Sequence, residues 1–200
     1  MNRVLILGIG NLLWADEGFG VRVVQRLQRD YAFPEHVALM DGGTQGLALM
    51  PYVQEADTLI IADAVDFRCG PGTLVDLRDS DVPAYLGAKK MSLHQVGFQE
   101  VLALSELLGH APRHLYLVGV QPCVLEDYGG SLSEPVRAML EPAVTRILAY
   151  LAELGVVAER RRHPGAEPDP LAMDAYENLR PSVGQACRVG DARFLALRGA

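Results

Sequence analysis

Arg3-Val4-Leu5-Ile6-Leu7-Gly8-Ile9-Gly10-Asn11-Leu12-Leu13-Trp14-Ala15-Asp16-Glu17-Gly18-Phe19-Gly20 decides how the rest of the chain is read. Arg3 to Leu7 is a short run without polar alternation, the mark of a strand buried on both faces. Two glycines then let the backbone turn sharply at the strand end. From Glu17 to Arg29 the apolar residues Phe19, Val21, Val23, Val24 and Leu27 recur among charged ones at a spacing that suits a helix packed on a sheet. The unit is strand, glycine turn, helix. It invites comparison with the dinucleotide-binding GxGxxG, but the third glycine position is Leu13, and no acidic residue follows at the expected strand end. Nucleotide binding is therefore a weak reading of these glycines.

The same alternation continues downstream. Val37 to Met40 reads as a second strand, closed by Asp41-Gly42-Gly43-Thr44. Thr44 to Val53 reads as a short helix, Thr58 to Ala62 as a central strand, and Thr73 to Leu77 as an edge strand after the turn Gly70-Pro71-Gly72. Gln95 to Leu108 is a helix with a broad apolar face, and His114 to Val120 the last strand. Ser133 to Leu154 reads as one long helix, with Ser133 as N-cap, Pro135 in the first turn and Gly155 at its end. Strands alternating with helices predict a three-layer α/β/α domain around a mostly parallel sheet of about five strands. Composition changes after Val157. Residues 1–157 are predicted to form the domain, and residues 158–200 a linker and irregular tail.

Half of the 200 residues are hydrophobic and 22% charged, enough to bury a core. The net charge of -7 leaves no basic surplus for a nucleic-acid backbone, and the acidity belongs to the domain. Residues 1–157 hold eleven Lys or Arg against nineteen Asp or Glu, whereas the tail holds seven against six. Cys69, Cys123 and Cys187 are too scattered for a zinc knuckle or redox pair. No apolar run approaches the roughly 18 residues of a membrane span, and the first residues lack the long apolar region of a signal peptide. The expectation is a cytoplasmic monomer without membrane insertion.

Open α/β sheets build their sites beyond the carboxyl ends of the strands. Asp16 and Glu17, Asp41, and Asp63 fall on three such ends, and His94 just before a helix. Carboxylates and an imidazole at one rim suit a borderline divalent metal. Each also has an ordinary reading: Asp41 before two glycines as a turn residue, Asp16 or Glu17 as a helix-start charge, His94 as a cap. Asp63 follows Leu59-Ile60-Ile61-Ala62, where an unpaired charge would be costly. No GxSxG elbow, HExxH helix or P-loop is present.

Taken in order, Gly8 to Gly20, Asp41-Gly42-Gly43-Thr44, Ile61-Ala62-Asp63-Ala64 and Ser92-Leu93-His94-Gln95 resemble the nickel-iron hydrogenase maturation endopeptidases. Trp14, Gln45-Gly46, Lys89 to His94 and Asp127 to Leu132 are similar to the branch serving membrane-bound uptake hydrogenases. The resemblance implies that Glu17, Asp63 and His94 bind nickel, and that Asp41 supports substrate recognition or cleavage. It implies an endopeptidase that removes a carboxy-terminal extension from the precursor of the hydrogenase large subunit after nickel insertion, the nickel arriving with that precursor. Two rivals share some of these residues. One is a non-catalytic nickel-binding chaperone of the same precursor; the other is a nucleotide-dependent small-molecule enzyme using Gly8 and Gly10.

Overall fold

The computed structural model describes residues 2–88, 93–125 and 127–163. Strands β1 (Val4–Ile9) and β4 (Thr58–Ala64) are buried along their whole length, as continuous aliphatic runs require. With β3 (Val37–Gly43), β5 (Leu74–Arg78) and β6 (His114–Val120) they form one sheet in the order β3-β1-β4-β6-β5. Its first four strands run parallel, while β5 is antiparallel to β6. The predicted three-layer α/β/α domain with a mostly parallel five-stranded sheet is the fold observed.

One face is covered by α1 (Phe19–Asp30) and α6 (Leu140–Glu153). Phe19, Val23, Val24 and Leu27 meet Ile6, Ile60, Val118, Val144, Ile147 and Leu151 there. The opposite face is covered by α2 (Met50–Glu55), α3 (Asp81–Ala88) and α4 (Leu93–Leu107), where Val53, Val82, Phe98 and Val101 meet Leu7, Leu59, Ile61 and Leu117. Side chains alternate between these faces along each strand, and that alternation later decides which candidate residues can meet.

The structure refines several expected elements. The helix expected over 133–154 is two: α5 (Glu134–Arg137) stops, and α6 begins at Leu140. Pro142 has no N–H to return to the Ala138 carbonyl, so the helix is interrupted there. Ser133 stands at the N-cap position but makes no side-chain cap bond. The helix expected from Glu17 starts with a 3-10 turn, Ala15–Gly18, before α1. His94, expected just before a helix, lies in the first turn of α4. Past residue 157 the chain pairs again. Glu159–Arg160 forms β7 against β2 (Tyr31–Ala32), and Arg161 donates its N–H to the Asp30 carbonyl. The rest of the expected tail, residues 164–200, lies outside the described residues.

At the β5–β6 edge, Tyr116 and Tyr150 stack with ring centroids 4.2 Å apart, and Arg78 lies over both rings while pairing with Glu153 at 2.8 Å. Burial pushes the Tyr116 phenol well above its usual range. No helix among the described residues is long and apolar enough to cross a membrane.

Candidate active site at the carboxyl rim

The glycines at the end of β1 bring backbone, not a nucleotide, close. A Cβ on Gly20 would collide with the carbonyls of Ala62 and Ile9, and one on Gly8 with the backbone of Gly20. Gly20 thus gives α1 the close seat on the sheet that a third fingerprint glycine provides elsewhere. Gly10 has φ 128°, open to glycine and strained for other residues. Beyond it the loop folds back: Asn11 donates its N–H to the Glu17 carbonyl at 3.2 Å, and Glu17 its N–H to the Trp14 carbonyl at 2.9 Å. The 3-10 turn so formed packs against β4 and holds Glu17, half-buried, at the rim.

Asp63 lies at the end of the central strand and is 3% exposed; its carboxylate accepts the Ala64 N–H at 2.8 Å. Leu59 and Ile61, four and two residues earlier, face α2–α4, so Asp63 faces that side too. His94 sits at the start of α4, on the same side of the sheet; its side chain lies outside the described residues. Across the ladder Asp63 pairs with Gly119, and the Phe67 ring occupies the space where a Cβ on Gly119 would stand. Gln121, 8% exposed, fixes that ring's loop by accepting the N–H groups of Phe67 at 2.7 Å and Cys69 at 3.3 Å. Phe67 and Gln121 are therefore an apolar wall and its brace beside Asp63. Sequence reading passed over both, since their partners lie more than fifty positions apart in the chain.

Asp41 stands at the same rim but on the other side of the sheet. Val37 and Leu39 pack toward α1 and α6, so alternation turns Asp41 the same way, opposite Gly8 in the ladder and exposed. The three-residue Asp41-Gly42-Gly43 stretch, expected to close the strand as a turn, belongs to it.

Asp16, one residue before Glu17, is fully buried and holds structure. Its carboxylate accepts the N–H groups of Cys123 at 2.8 Å, Val124 at 2.7 Å and Ser133 at 2.6 Å, and the Ser133 hydroxyl at 2.8 Å. Those bonds occupy the lone pairs a metal would need. They also satisfy a buried charge, and they explain why Ser133 does not cap α5. The clamp ties the loop after β6 to the loop after β1, where Gly129 donates its N–H to the Leu13 carbonyl and Trp14 meets Tyr128 edge-on at 5.4 Å. Among the described residues, no group of three or more His, Cys, Asp or Glu is placed to hold a metal ion.

A doubly covered, mostly parallel sheet with buried and half-buried carboxylates at its carboxyl rim defines an α/β protein with its candidate site above the central strands. The sequence profile of the hydrogenase maturation proteases matches residues 21–150. The chain is 59% identical over 199 residues to the hydrogenase expression/formation protein HupM of Azotobacter chroococcum, covering 98% of this chain and 95% of that one. It is 46% identical over 157 residues to the hydrogenase 2 maturation protease of Escherichia coli, covering 78% and 94% respectively. The solved hydrogenase maturating endopeptidase HybD from E. coli superposes with a TM-score of 0.76 at 44% identity, over 80% of this chain and 98% of that one. The chain belongs to the hydrogenase maturation protease family.

Proposed function

We propose that the protein removes a carboxy-terminal extension from the precursor of a nickel-iron hydrogenase large subunit, acting in the cytoplasm as a monomer. In this reading Glu17, Asp63 and His94 engage the nickel that the precursor carries. The observation that supports it best is the placement of Asp63, a buried carboxylate at the end of the central strand. It faces the side on which His94 opens α4, with the turn holding Glu17 packed against the same strand. Oxygen and nitrogen donors suit a borderline divalent ion, and three protein ligands leave coordination positions for thiolates of the precursor.

Cleavage then depends on metal loading, because a precursor without nickel offers these ligands nothing to hold. This chain's residues fix the position of the neighbouring peptide relative to the rim, and a positioned peptide reacts faster than a free one. Phe67, braced by Gln121, stands over Gly119, the ladder partner of Asp63. Asp41, on the opposite face, serves recognition of the substrate chain. Incubating the purified protein with nickel-loaded precursor tests the reading: a shortened large subunit supports it. A stable, unprocessed complex contradicts it in favour of a nickel-binding chaperone.

A further inference from the structure

α4 opens with the turn that carries His94, and one turn further on it meets the 3-10 turn Gly46–Leu49, backbone against backbone. A Cβ on Gly97 would stand 3.2 Å from the Gly46 Cα, and one on Gly46 3.7 Å from the Gly97 Cα. Gly46 has φ 52°, a left-handed conformation that glycine adopts without strain. Gly97 lies inside a helix, where glycine is a poorer former than alanine. The close approach accounts for its place there, since 3.2 Å is less than the ordinary packing distance between carbon atoms.

Both glycines are anchored to elements of the rim. The loop bearing Gly46 hangs from the end of β3: Gln45 donates its N–H to the Gly42 carbonyl at 3.1 Å and its Nε2 to the Asp41 carbonyl at 3.4 Å. Leu49, 1% exposed, then enters the core beneath α2–α4. Phe98, Val101 and Leu102 seat α4 on the sheet. Those apolar contacts fix how α4 lies over the strands, and the glycine pair fixes how near its first turn comes to the end of β3. His94 precedes Gly97 by three residues, so the two are neighbours on the helix surface and the hydrogen-bonded turn carries a shift of one to the other.

We propose that Gly97, through its contact with Gly46, is a positioning residue for His94. This rests on the reading given under Proposed function, in which His94 engages the precursor's nickel. A methyl group at position 97 forces the two backbones apart by a few tenths of an ångström. That exceeds the roughly 0.2 Å within which metal–ligand distances are held. The displaced ligand still reaches the cation, but the peptide held beside it leaves the position in which it reacts. A misplacement of about 1 Å costs about a hundredfold in rate, so a few tenths costs about fivefold or more, in turnover and not in affinity.

Gly97→Ala adds the methyl group, whereas Val101→Ala takes stability from the same helix and adds nothing at the contact. Processing of nickel-loaded precursor by wild type and by His94→Ala is measured first. No wild-type cleavage, or unimpaired cleavage by His94→Ala, sinks the reading on which the proposal rests. With that reading standing, Gly97→Ala is expected to lower kcat by about fivefold or more while KM changes by less than about twofold. Val101→Ala, a buried truncation, should lower the thermal midpoint further than Gly97→Ala does and keep kcat within about twofold. Turnover and stability would then part. A kcat for Gly97→Ala within about twofold of wild type overturns the proposal. A rise in KM alone also overturns it, by assigning the contact to substrate docking. An equal fall in kcat in Val101→Ala overturns it as well, by making the contact ordinary packing.

Discussion

Asp16 and Asp63 are both buried carboxylates at the carboxyl rim, yet they stand in different settings. Asp16 is surrounded by four donors from a loop more than a hundred positions downstream, and it fastens one side of the rim. Asp63 stands at the end of the central strand, facing the side where α4 begins. Burial alone therefore does not separate a structural carboxylate from a functional one. Four donors from one distant loop make Asp16 structural, and in the reading proposed above the rim divides into a clamped half at Asp16 and a working half at Asp63.

Substitutions should break the two halves in different ways. The largest effect is expected on the working side. Asp63→Ala or His94→Ala should lower processing of nickel-loaded precursor by more than about a hundredfold, exceeding the usual loss from a group that only supports a ligand. Circular dichroism should show the domain still folded, and near-normal cleavage by either variant would remove these residues from the site. On the clamped side, Asp16→Ala strands several buried donors, each costing about 1–3 kcal/mol, so a loss of about 3 kcal/mol or more is expected in urea unfolding. A midpoint unchanged from wild type would show that the loop after β6 does not depend on the clamp.

Glu17→Gln sharpens the contrast between neighbours, because it keeps shape and removes charge. Processing should fall by about tenfold, equivalent to about 1.4 kcal/mol in the transition state, while the thermal midpoint moves little. An equal fall in stability would make Glu17 a second Asp16. The smallest effect lies far from both halves. The hydrogen bond from the Arg29 side chain holds the Asp30 carboxyl below its usual range. A depressed value contributes stability above the unfolded pKa of about 4, and that contribution fades as pH falls through the folded value. The Arg29 partner is 42% exposed, so salt screens the effect. Wild type and Asp30→Asn should differ slightly in thermal midpoint at neutral pH and converge in acid; a gap that widens in acid would contradict this.

Much of the framework was legible because it is written locally. The runs at Val4, Thr58 and His114 carry no polar alternation and became buried strands, and the period in Phe19 to Leu27 became α1. What stayed hidden depends on contacts distant in sequence. The bonds from residues 123, 124 and 133 to Asp16 leave no period to read, and neither does the pairing of Glu159–Arg160 with Tyr31–Ala32. Asp41-Gly42-Gly43 has the composition of a turn but continues β3, and only strand alternation shows that Asp41 and Asp63 face opposite layers. Gly20 looks like an ordinary residue in a helix, although it is where α1 meets the sheet. Strand-end positions, and for His94 the start of a helix, put Asp16, Glu17, Asp41, Asp63 and His94 at the rim and the family resemblance chose 17, 63 and 94 among them as ligands, whereas Phe67 and its brace Gln121 came from the structure.

In the proposed reading Glu17, Asp63 and His94 close around one cation with room left for the precursor's own ligands. Soaking crystals of the protein with a divalent ion and locating it by anomalous scattering tests this most directly. The account predicts one rim site with carboxylate oxygens of Glu17 and Asp63 and an imidazole nitrogen of His94 at roughly 2.0–2.2 Å, typical of such ligands on a zinc-like ion. An ion bound elsewhere, or these three side chains directed to separate places around it, would contradict it.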